Sequence, residues 1–254
     1  MSQITAVLNV HREGTLARGS LLSIALARQA AAAAGISVEV VAVADCSDRI
    51  TLDILAGAEG VQVIETDVDD LGLARNVGVA TARGRYVAFL DGDDLWGPNW
   101  LLAAYQAAMA ESRAVVWHPE ASLYFGPTQE PYWMLHPDME TVEGDWVTLG
   151  VRNQWTSLSF APRDTYLKIP YRRTDLATGF GKEDWCWNSD VVAHGYLHKP
   201  VPGTAHLVRV RANSLMKRTD AVNSLMTPST LMRSRIGWAV RVGLVGVAAP
   251  DTSI

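Results

Sequence analysis

The chain has 254 residues, 48% of them hydrophobic, which suits one full-sized domain with a buried core and excludes a disordered chain. A formal net charge of −5 excludes the global basic field that draws proteins onto nucleic acid, so any anionic ligand must be bound locally. Only two cysteines occur, Cys46 and Cys186; outside any CxxC or Cys/His spacing, they fit a reducing cytoplasm rather than a metal site.

Residues 4–10, ITAVLNV, are an apolar run ending in polar residues, the pattern of a buried first strand and a loop. A helix is expected next, capped by Thr15, with Leu16, Leu21, Ile24 and Leu26 as apolar positions and Gly35 as its stop. The β-branched run SVEVVAVAD predicts a second strand ending in Asp45. A helix around 50–57, a strand over VQVIET, a helix over LGLARNVGVATA and a strand over RYVAFLD follow. Strands alternating with helices imply a largely parallel sheet covered on both faces, with ligands at the carboxyl ends of its strands. Asn9, Asp45 and Asp91 fall at those ends and predict one polar rim.

Pro98 is expected to start a helix over LWGPNWLLAAYQAAMAES. Residues 115–160 read as several short strands rich in Trp and Tyr, broken by GPTQEP and HPDME. A short helix opened by Pro162, a longer one from Glu183, and a last strand over AHLVRV with a basic turn complete the order. The N-terminus has no basic segment followed by an apolar core, so no signal peptide is expected. The longest apolar run, 236–249, is interrupted by Arg241 and falls short of the ~20 residues of a spanning helix. The C-terminal segment reads either as a helix packed on the domain or a second subunit, or as a membrane-surface helix.

Asp91, Asp93 and Asp94 crowd the end of a buried strand. Close carboxylates repel one another, and a hard cation such as Mn²⁺ or Mg²⁺, sharing oxygens with a phosphate, would relieve the strain. Gly92 permits close approach of the backbone. An acidic helix start is the plainer alternative.

The run LARNVGVATARGRYVAFLDGDD resembles the segment of inverting family 2 glycosyltransferases that precedes their DXD motif. Ala74, Arg75, Asn76, Gly78, Ala82, Gly84, Tyr86, Leu90, Asp91, Asp93 and Asp94 carry the match in order. Similar segments follow the family's order. AVLNVHREG resembles its entry loop, VVAVADCSDRIT its base and ribose segment, GFGKEDWCW its Glu-Asp-Trp segment, and VRVRANSL its last turn, with Arg211 where a histidine is usual.

The resemblance implies an α/β fold of GT-A type: a Rossmann-like, mixed but mostly parallel sheet flanked by helices. It implies a nucleotide-sugar-binding half over 1–97, an acceptor half over 98–228 and a C-terminal helix or tail over 229–254. It places Asn9, His11, Glu13, Asp45, Arg75, Asp91, Gly92, Asp93 and Arg211 around a nucleotide diphosphate sugar. Asp93 and Asp91 would hold Mn²⁺ or Mg²⁺, and Arg211 would meet a phosphate oxygen. Asp184, with Glu183 next in line, would be the base that takes the acceptor proton; complementing a helix dipole is their plainer role. Trp185 and Trp187 would stack on a saccharide or lipid-linked acceptor, or else pack in the core. His206 is an alternative metal ligand, but as a lone histidine on an expected strand it reads rather as structural. The implied place is the cytoplasm or the inner face of a membrane, with no nucleic acid partner. A sugar-phosphate nucleotidyltransferase would want a glycine-rich basic loop that NVHREGTLARGS does not supply; a non-catalytic carbohydrate-binding module is the other rival.

Overall fold

A computed structural model describes residues 2–127, 129–211, 215–227 and 229–233. The first half alternates strictly: β1 (Ile4–Val10), α1 (Ala17–Ala33), β2 (Val38–Asp45), α2 (Arg49–Ala56), β3 (Val61–Thr66), α3 (Leu71–Thr81) and β4 (Tyr86–Asp91). Then come β5 (Leu95–Trp96), α4 (Trp100–Ala110), β6 (Val115–Gly126), β7 (Gln129–Leu135), β8 (Phe160–Pro162) and α5 (Arg163–Lys168). β9 (Phe180–Gly181), α6 (Glu183–Ala193), β10 (Leu197–Arg209), α7 (Leu215–Ala221) and β11 (Leu225–Met226) follow.

The main sheet runs β3-β2-β1-β4-β8-β6-β10-β5, with β7 hydrogen-bonded to β6. β1 to β4 are parallel, as is β10 on β6, while β8 runs antiparallel between β4 and β6. Strand alternation divides the core. Ile4, Ala6 and Leu8 face α1 and α4 through Ile24, Ala27, Trp100 and Leu101. Val7, Val41, Val43, Val87 and Phe89 face α3, α5 and α6 through Ala74, Val79, Tyr166 and Trp187.

Asp48 and Asp70 cap α2 and α3, each accepting a main-chain hydrogen bond of 2.8 Å, from Thr51 and Leu73 respectively. Thr15 is not a cap: it lies inside a 3₁₀ turn, Gly14–Leu16, that leads into α1. The buried stripe of α1 is Ala17, Ser20, Ser23, Ile24, Ala27 and Ala31, whereas Leu26 faces solvent. Small side chains let this helix lie close on the sheet. Gly35 ends it with φ +75°.

The second half departs further from expectation. Residues 115–126 form one twelve-residue strand, hairpinned to β7, instead of several short ones. β10 starts at Leu197, well before AHLVRV, with Pro200 and Pro202 inside it and a register shift between Val201 and Ala205. The expected C-terminal helix falls largely on residues 234–254, outside the described residues. Among the described residues no helix is long and apolar enough to cross a membrane.

Candidate active site

The carboxyl ends of β1, β2 and β4 lie side by side, with Asn9 in register against Asp91 and against Val43. Asn9 is 4% exposed, and both polar atoms of its amide lack a partner. Beyond β1, His11 Nδ1 lies 2.6 Å from the main-chain oxygen of Asp45. The Asp45 carboxylate accepts from the main-chain N–H groups of Asp69 (3.2 Å) and Asp70 (3.1 Å). It thereby ties the loop before α3 to the end of β2.

Gly92 is enforced by crowding from the protein itself. A Cβ there would lie 2.7 Å from Val10 Cγ1, 3.0 Å from Asn9 O and 3.1 Å from Glu13 Cγ. The loop after β4 is therefore pressed against the end of β1. Glu13 accepts from the His11 main-chain N–H and pairs with Arg211 at 3.2 Å. Arg211 Nε also meets Asp93 Oδ2 at 2.6 Å, so in this structure its partners are carboxylates. Asp94 does not serve the plainer alternative of an acidic helix start: it accepts from the Arg209 N–H at 2.6 Å, tying the loop after β4 to the end of β10. Burial, with the charges of Asp91 and Glu13, pushes Asp93 up to about 6 against the opposing pull of Arg211. Burial and the two other aspartates hold Asp94 well above the usual carboxylate range.

Arg75 is fully buried on α3. One terminal nitrogen donates to Glu183 at 3.0 Å; the other reaches both oxygens of Asp91, at 3.1 and 3.2 Å, and Ser157 Oγ at 2.9 Å. Its guanidinium carbon lies 5.3 Å from the Tyr171 ring centre. Arg75 is thus no solvated helix residue paired with the nearby Asp69 or Asp70. Burial and the adjacent Asp184 charge push Glu183 up to about 7, with Arg75 opposing. Asp184, raised chiefly by burial, accepts from its neighbour's N–H at 2.8 Å and from Asn153 Nδ2 at 2.9 Å. It stands in the first turn of α6, where the helix dipole favours a carboxylate.

The expected cation site is narrower than the sequence suggests. Asp91 engages Arg75 through both oxygens and makes a poor ligand. Asp93 fits a site of one carboxylate completed by phosphate oxygens and water. Of the carboxylates of Glu13, Asp91, Asp93, Asp94, Glu183 and Asp184, Arg75 meets Asp91 and Glu183 and Arg211 meets Glu13 and Asp93, which leaves an acidic surplus that a cation would relieve. Among the described residues no group of three or more His, Cys, Asp and Glu forms a metal cage.

Trp187 is not an acceptor residue. It is 2% exposed, stacked between Tyr166 and Tyr171 with centroids at 5.0 Å, and donates Nε1–H to Ile169 O at 2.7 Å. Trp185 is half-buried and donates its indole N–H to Leu149 O at 2.7 Å. His206 is wholly buried against Trp100. Asn153 and Ser157 were not foreseen. Their signal is faint: polar residues interleaved with Trp155 and Leu158 in one half-buried segment.

The GT-A layering, the polar rim and the two acid pairs define a class, and the sequence profile described as Glycosyl transferase family 2 matches residues 12–164. The chain belongs to that family. It is 27% identical over 143 residues to the succinoglycan biosynthesis protein ExoM of Rhizobium meliloti (strain 1021), covering 52% of this chain and 45% of that one. It is 40% identical over 79 residues to ExoO of the same organism, covering 30% of this chain and 23% of the relative. The matched segments thus span less than half the length of these curated relatives. Among solved structures, S. aureus TarS 1-349 in complex with UDP-GlcNAc superposes with a TM-score of 0.60 at 16% identity, covering 98% of this chain and 68% of that one. The same protein in complex with UDP gives 0.59 at 15% identity, with 96% and 74% covered. That likeness establishes the fold.

Proposed function

We propose that the protein transfers a sugar, with inversion, from a nucleotide diphosphate sugar to a hydroxyl of a saccharide or lipid-linked saccharide during polysaccharide assembly. The carrying observation is that Arg75 joins the strand-end aspartates to the acid pair of α6. A donor lying on the rim would then have its reacting carbon within reach of a base on the acceptor side. Asp184 is that base: it is half-buried, oriented through both oxygens and unpaired with any described arginine, whereas Glu183 is held by Arg75.

Asn9, His11 and Asp45 form the nucleotide side of the rim, and Glu13, Gly92 and Arg211 border the diphosphate. UDP is the first nucleotide to test, because the TarS structures contain UDP or UDP-GlcNAc. Asp93 would hold Mn²⁺ or Mg²⁺, which when bound would supply a counter-charge for the leaving diphosphate. Trp185 is the remaining aromatic candidate for the acceptor side. The 1–97 and 98–228 halves serve donor and acceptor, and a cytoplasmic site at the inner membrane face goes with this reading.

Among the described residues the loop after β1 does not offer the triphosphate cradle of a nucleotidyltransferase: the Gly14 N–H is already donated to Thr51 Oγ1 at 2.9 Å. Asp184→Asn tests the proposal against a non-catalytic module. Loss of turnover by about 10²-fold or more, with nucleotide affinity intact, supports it; unchanged turnover refutes the base.

A further inference from the structure

We infer that Asn153 is a positioning residue for the Asp184 carboxylate, and that Asn188 dictates which end of the Asn153 amide faces it. The inference rests on Asp184 being the base. A chain of hydrogen bonds of fixed polarity carries it. Asn188, wholly buried in α6, places Nδ2 2.8 Å from the main-chain oxygen of Trp155 and 2.8 Å from Oδ1 of Asn153. A main-chain carbonyl can only accept, so the Asn188 group that meets it must be the NH₂. The second proton of that group then faces Asn153, which must answer with its oxygen. Asn153 is left with its own NH₂ for Asp184, and Nδ2 stands 2.9 Å from Oδ2. The orientation of two amides thus follows from one backbone carbonyl.

That carbonyl belongs to a fixed segment. The Trp155 indole donates to Pro137 O at 2.9 Å and stacks on His198 at 4.3 Å with ring planes 13° apart. His198 Nε2 lies 3.3 Å from Asn188 O, and its Nδ1 lies 2.8 Å from His118 Nε2. Burial holds His198 down to about 3 and His118 well below the usual range. The frame behind Asp184 is therefore polar and uncharged. Asn188 Oδ1 is buried without a partner, a cost that a mere packing residue would avoid. The amide is there for its nitrogen.

The charged and titratable groups around Asp184 are Lys182, Glu183 and Cys186 near it on the chain, Arg75 from α3, Tyr124 from β6, and Tyr171. Asn153 adds a neutral donor that favours the ionised carboxylate without a competing charge.

The test is a ¹³C NMR titration of aspartate carboxyl signals in the full chain, with Asp184 assigned by its disappearance in Asp184→Asn. Asn153→Ala should raise the Asp184 midpoint by about one pH unit, and Asn153→Asp by more, because a second carboxylate replaces the donor. Hydrolysis of UDP-GlcNAc or UDP-glucose should show kcat down about tenfold with KM unchanged. An unmoved Asp184 midpoint in either folded variant overturns the inference, and near-isosteric Asn153→Asp serves if Asn153→Ala does not fold. Should Asp184→Asn retain turnover, the base assignment fails while the titration still judges the positioning.

Discussion

Arg75 spans two carboxylates that come from distant parts of the chain, and only a planar fork can do so. Lysine carries one point charge and cannot meet Asp91, Glu183 and Ser157 together. Replacing Arg75 by Ala or Met leaves two carboxylates without their cation and should cost about 3–5 kcal/mol of unfolding free energy, read by urea denaturation. Glu183 makes a pH prediction. Its folded value, about 7, lies above the ordinary 4.5, so between those values the folded chain binds more protons than the unfolded one. This residue's contribution to stability is fully present below about 4.5 and is lost as pH rises through about 7. Glu183→Gln should therefore gain stability relative to the native chain as pH rises across that window, measured by denaturant midpoints at several pH values. Arg75 could be singled out from its motif. Asp91 and Glu183 could be singled out as well, but not their pairing through Arg75, since Glu183 stands 108 residues away.

At the scale of elements, α3 shows why the motif was readable. Asn76 exchanges two hydrogen bonds with the main chain of Tyr171, at 2.8 and 3.0 Å, as a strand neighbour would. Gly78 faces β1 so closely that a Cβ would stand 2.4 Å from Val7 Cγ1. Gly78→Ala should cost about 1–3 kcal/mol by overpacking, visible as a lowered melting temperature without a change in nucleotide affinity. Residue types at such contacts are narrowly constrained, so the motif carries its structure with it. Elements of the first half were legible because each βαβ unit is local and fully patterned. In the second half the helices α4, α5 and α6 were legible and the strands were not: β5 has two residues, the prolines of β10 disguise a strand, and the pairing of β8 between β4 and β6 is set by distant neighbours.

Across the whole molecule, the order β3-β2-β1-β4 brings Asp45, Asn9 and Asp91 to one edge, as alternation alone led one to expect. What alternation does not contain is the return of β10, which delivers Arg209 and Arg211 to the same edge and gives Asp93 and Asp94 their partners. Calorimetric titration of UDP, GDP and dTDP, each with Mn²⁺ and then with chelator, should show one nucleotide bound tightly and weakened by chelation. Equal, feeble binding of all three, indifferent to the metal, would remove Asp93 from the cation site.

One guanidinium shared between the rim and α6 also makes proton traffic a messenger. An anionic nucleotide that draws on the charge of Arg75 leaves Glu183 less stabilised as an anion, so binding should take up a fraction of a proton near pH 7. By reciprocity, acidification through that range should tighten UDP in the presence of chelator. The enthalpy of binding would then vary with the ionisation heat of the buffer, and in Glu183→Gln this part of the variation should vanish.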